Sequence, residues 1–141
     1  MNLSSILSGV ILLKSIDLSF VKVKSYTGGF MQFEKLWPFD NNDAATGAVL
    51  EYVRYGTDWF DGLVANRWPN TLNKDVLCKL PSLNAQTFVD LAEDLPDISL
   101  NSEISNYSKT LCFGQTNFND YTKFPQSVRD KITAKGWIIA I

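Results

Sequence analysis

The chain has no histidine. This removes the side chain that most often works as a general base near neutral pH and most often ligates a metal. It also has only two cysteines, Cys78 and Cys112, too few for a disulfide framework. Each sits inside an apolar run and reads as a small buried hydrophobe. Whether the two are bonded stays open at this stage. Charge of one sign is missing as well: 13 Lys and Arg face 15 Asp and Glu, a net charge of −2. No basic run interleaves with aromatics, so nothing points to nucleic acid. Long apolar runs are absent too. The longest near the start, Val10–Leu13, is far too short to span a bilayer. It has neither a basic region before it nor a small-residue cleavage site after it, so no signal peptide is expected.

Local motifs add no chemistry. The pair Gly28–Gly29 is not followed by Gly-Lys-Ser/Thr, so Thr27–Gly29 reads as a turn rather than a phosphate loop. The Asp40–Asp43 cluster lacks the glycine and glutamate of a calcium loop and reads as solvated. Asp90, Glu93 and Asp94 read as the wet face of a helix. The expectation is a protein that is not an enzyme, with no catalytic residues, no metal site and no cofactor.

What is present is architecture. At 141 residues the chain fits one domain able to hold its own core. Strand-like runs occur at 14–23, 48–56, 75–81, 109–114 and 136–141, at spacings typical of repeat proteins. A helix is expected over 83–97. There Phe88, Leu91, Ala92 and Leu95 fall on one face, Asn84 is the N-cap and Pro96 the stop. A second is expected over 124–136, with Pro125 in its first turn, Val128 and Ile132 on one face, Lys131 and Lys135 at its negative end and Gly136 just beyond. Residues 3–9 could form a short third helix.

A strand, a helix and a strand in succession make a right-handed crossover with parallel neighbours. The strands 109–114 and 136–141 should therefore lie side by side in the same direction, with 124–135 packed against them. Repeated, such units wind into a solenoid. The predicted fold class is α/β: a single domain over 1–141, a short irregular solenoid with a parallel sheet and short helices on one side. Loop insertions interrupt it around 26–47 and 56–74.

The C-terminal stretch reads "LCKLPSLNAQTFVDLAEDLPD", then "SKTLCFGQTNF", then "FPQSVRDKITAKGWIIA". It resembles the last repeats of atypical leucine-rich-repeat proteins of gut bacteria and their phages. Leu83, Phe88, Leu91 and Leu95 match that family's helix. Lys109, Thr110, Leu111, Gly114 and Asn117 match its strand and turn. Ala134, Lys135, Gly136, Trp137, Ile138 and Ala140 match its terminal rung. Upstream, "LLKSIDLS" at 12–19 resembles the start of a repeat, and 26–74 departs from the pattern. The resemblance implies a leucine-rich-repeat-like fold and a non-enzymatic binding or assembly role. The leading form of that role is a virion structural component in a phage tail, baseplate or fibre. The alternative is a carbohydrate- or protein-binding adhesin module on a bacterial surface.

Aromatic residues supply the candidate interaction surface: Trp37, Phe39, Tyr52, Tyr55, Trp59, Phe60 and Trp68, with Arg67 among them. Trp, Tyr and Arg dominate interface hot spots, and Trp37, Trp59 and Trp68 offer rings for stacking on a host-surface glycan. The same rings would serve equally to fill the core. The expected partners are other protein chains, either copies of itself or virion proteins. Neither nucleic acid nor membrane insertion is expected. Parallel sheets end in open edges, and the strand at 14–23 has only residues 1–12 to cover it. The last rung is read as the chain's own cap.

Overall fold

The computed structural model describes residues 14–17, 19, 51–54, 56–57, 80–106 and 109–141. Within them, two short parallel strand pairs are joined by helices. Helix α1 is Ala85–Asp94. It starts where Asn84 Oδ1 accepts from Thr87 N, 3.2 Å away, satisfying one of the orphan amides of a first turn. It ends one residue before Leu95, whose successor Pro96 cannot accept a helical neighbour. The face chosen by periodicity is the buried one: Phe88, Leu91, Ala92 and Leu95 are each at most 2% exposed. Side chains of this size contribute about 1.5–3 kcal/mol each on full burial.

Strand β1 (Ser15–Asp17) pairs in parallel with β2 (Tyr52–Arg54), Ile16 opposite Val53. Strand β3 (Thr110–Cys112) pairs in parallel with β4 (Ile138–Ala140), Leu111 opposite Ile139. The neighbouring, same-direction arrangement expected for the last two strands is therefore present. Between them run α2 (Gly114–Asn119) and α3 (Gln126–Ala134). Helix α3 buries Val128 and Ile132, as its spacing requires. It packs on both α1 and β4, while α1 packs on β2. Rings of Phe88, Phe113 and Phe124 meet at the centre, with centroids 4.5–5.9 Å apart. Trp137 is also buried, and donates from Nε1 to Pro96 O, 2.9 Å away.

Several expectations need correction. The strands are shorter than their apolar runs: Ser19 already lies in a turn, and Leu80 and Pro81 are not in a strand. Helix α2, unforeseen, begins at Gly114, whose positive φ of 74° swings the chain out of β3. Pro125 is the N-cap of α3 rather than a first-turn residue. Arg129 on α3 is buried although its type suggests solvent. It stacks over Tyr121, Phe124 and Phe118 and donates to the carbonyls of Phe124 and Phe118, so its charge stays hydrogen-bonded inside. The segments 3–9, 20–47 and 58–79 lie outside the described residues. Cys78 lies there too, and with it the question of its bond to Cys112.

Among the described residues a turn of one design occurs three times. Asp17, Asp97 and Asp120 each accept, through Oδ1, the backbone amide and the hydroxyl of the residue two further on: Ser19, Ser99 and Thr122. Foremost through the hydroxyl donation, these carboxyls are held below the usual carboxylate range. Two of these turns are pressed against a glycine of the following coil. A Cβ on Gly56 would stand 2.6 Å from Ser19 Cα, and one on Gly136 would stand 2.8 Å from Ser99 Cα. Both glycines have positive φ, 78° and 92°, and serine and glycine are equally far apart in sequence in the two cases (19 to 56, 99 to 136). Gly56→Ala and Gly136→Ala each meet a backbone clash and a left-handed conformation at once. Each is expected to lower stability by about 2 kcal/mol or more in urea denaturation.

Candidate functional site

Most of the chemistry-bearing side chains described are engaged in holding coils together. Asp94, expected on a wet face, is buried. Its carboxylate accepts from Arg54 Nε and Nη2, each at 3.2 Å, and from the Gly56 amide at 3.1 Å. The helix turns this residue inward because β2 lies against that side of α1. Asp90 is half-buried and accepts from the Tyr52 hydroxyl and from Gln86 Nε2. Only Glu93 remains on the exposed face, within 3.2 Å of Lys131 Nζ. Thr87 Oγ1 accepts from Val53 N at 3.2 Å, a third tie between α1 and β2.

Lys135 also behaves differently from its sequence reading. Its ammonium does not serve the end of its own helix, α3. It reaches across to the end of α1 and donates to the carbonyls of Ala92, Glu93 and Leu95 at 2.6, 2.9 and 2.8 Å. A cation with three donors thus meets three of the carbonyls a helix end leaves over.

Of the residues proposed as an interaction surface, the structure places Tyr52. It is half-buried on β2 and its hydroxyl is held by Asp90. Burial first, and then that hydrogen bond, pushes its phenol up to about 12. Trp37, Phe39, Tyr55, Trp59, Phe60, Arg67 and Trp68 lie outside the described residues. Among the described residues no three His, Cys, Asp or Glu side chains are grouped to hold a metal, and no helix is long and apolar enough to cross a membrane.

The feature that sequence reasoning passed over is the outer side of β4. The bonds from Ile138 N to Lys109 O and from Phe113 N to Ala140 O show that Ile138 and Ala140 direct their peptide groups at β3. In a parallel ladder the residue between them points its N–H and C=O the other way. Ile139 therefore turns one donor and one acceptor to the outer side of β4, where no strand among the described residues pairs with it. Ile138 beside it is 37% exposed and Ile141 63%. Among the described residues β4 is thus a sheet edge. The stretch "WIIAI" carries none of the lysine, proline or bulge residues that usually guard an edge, but its composition does not say which peptide groups are left over. Elsewhere Leu100 stands 99% exposed over a shallow depression formed with Asp97, Asn101, Ser102 and Glu103. A single exposed leucine is ordinary.

Compared with protein-family models, with curated proteins and with solved structures, the chain shows no match.

The Tyr52–Asp90 pair gives a pH test. The folded phenol titrates above its unfolded value of about 10, so the folded state holds its proton longer. The stability from this contact is complete below pH 10 and is lost as pH rises through about 12. Alkaline unfolding followed by circular dichroism should show a stability decline between pH 10 and 12 that Tyr52→Phe removes.

Proposed function

We propose that this chain is a non-enzymatic assembly protein, a structural component of the phage-virion kind, built as a short irregular leucine-rich-repeat-like solenoid. The solenoid reading is supported by parallel pairing in both strand pairs and by the recurrence of the Asp-x-Ser turn against a glycine at equal sequence separation. Stacked coils place equivalent turns against one another in this way. The virion setting rests on the resemblance of the C-terminal rungs.

The observation that carries the assembly reading is the β4 edge: backbone groups of Ile139 that no strand among the described residues takes up, flanked by the exposed apolar side chains of Ile138 and Ile141. Main-chain hydrogen bonds to an added strand supply affinity at such an edge, and side chains on alternate faces supply selectivity. The reading as a glycan-binding module depends on Trp37, Trp59 and Trp68, all outside the described residues.

Ile139→Pro removes the outward N–H and leaves the ladder to β3 intact, because that amide takes no part in it. Ile138→Lys places a charge on the edge as natural edges do. In extracts of its source, the wild-type chain is expected to travel in a particle larger than its own 15.9 kDa. Both variants, with unchanged circular dichroism, should elute as the lone chain. Light scattering on a sizing column reads the result, and a wild-type chain that elutes alone from the extract overturns the proposal.

A further inference from the structure

Resting on the assembly reading, the geometry points to the occupant of the β4 edge: the β4 strand of a second copy, running antiparallel, with a two-fold axis at Ile139. What the edge presents is a backbone donor and a backbone acceptor, so what fills it is an extended strand. Both groups belong to one residue and face the same way. Turned by a two-fold rotation, a second Ile139 brings its N–H to the first C=O and its C=O to the first N–H. The edge is its own complement, as an isologous contact demands.

The side chains agree with this register. Ile138 and Ala140 share the outer face of the strand with Thr110 and Cys112, their partners in β3. With the axis at Ile139, Ile138 of one copy lies opposite Ala140 of the other, twice. These are non-hydrogen-bonded pairs, the closest in an antiparallel ladder, and each sets a large apolar side chain against a small one. The half-exposed Ile138 is covered in the process. The side chains of Ile138, Ile139, Ala140 and Ile141 carry no charge, so antiparallel pairing places no like side-chain charges together. A net charge of −2 per copy adds little repulsion at longer range.

The competing occupant within the chain is β1 of another copy, which would extend the sheets head to tail. That strand is flanked by exposed Lys14 and Asp17, which would have to be desolvated beside the isoleucines of β4. The apolar strand is the better match for the apolar edge.

The purified full chain is the material for the test. Sedimentation equilibrium over rising concentration should approach twice the mass of the chain and stop there, and Ile139→Pro should hold it at the mass of one. For the register, Cys112→Ser is combined with Ile138→Cys in one preparation and with Ala140→Cys in another. Mixed under mild oxidation, the two preparations should cross-link through residues 138 and 140, mapped by mass spectrometry, while neither does so alone. Circular dichroism verifies that each variant is folded. A chain that stays monomeric when purified, yet travels in a large particle in extracts, overturns self-pairing and leaves the assembly reading standing. Growth past the dimer into filaments overturns the closed two-fold pair. Cross-linking of Ala140→Cys to itself moves the axis off Ile139 and overturns the register.

Discussion

Three consecutive residues at the end of α3 latch the two halves of the described structure. Lys135 saturates the last carbonyls of α1, Gly136 admits the backbone of Ser99 where a Cβ would not fit, and Trp137 fills the core while bonding Pro96. The amide of Ile98 adds a main-chain bond to Lys135 O at 2.8 Å. Together they fix the coil 92–99 against the coil 134–137. Every later feature follows from that. Strand β4 can start only where Trp137 leaves it, and its register with β3 is then set by the run of chain from Gly136.

The other coil contact uses the same elements with different side chains. Gly56 meets Ser19 as Gly136 meets Ser99. The end of α1 is held there not by a lysine but through Asp94, which gathers Arg54 and the Gly56 amide. Helix α1 is thus gripped from both neighbours, by a cation at its carbonyls and by donors at its last carboxylate. This arrangement explains why so few polar side chains described here are available for chemistry. Arg54, Asp90, Asp94, Thr87, Arg129 and Lys135 are all engaged in holding one segment to another.

The proposed assembly role draws on what these contacts leave over. In the proposed solenoid, backbone groups are left over at the ends of the sheets. At β4 that remainder is one donor and one acceptor in an apolar strand. Edges of this kind usually carry a charge or a proline to refuse partners, and this one carries neither.

The sequence by itself determined the local elements where one signal was strong. The i, i+3, i+4, i+7 spacing from Phe88 to Leu95 defined α1 and its buried face, Asn84 and Pro96 set its limits, and the strand–helix–strand order made β3 and β4 parallel neighbours. These depend on interactions within a few residues, or on the fixed hand of a crossover. Only the tertiary structure decided where polar side chains went. Lys135 at its own helix end and Asp94 on a wet face were sound readings of local electrostatics. Both were overridden because a neighbouring coil offered three carbonyls to one and an arginine with an amide to the other. Arg129 was buried for a similar reason, since rings and carbonyls distant in sequence met around it. The open side of β4 belongs to the same class. Which peptide groups of a strand are left over is a property of its pairing register, and no periodicity in "WIIAI" can encode it.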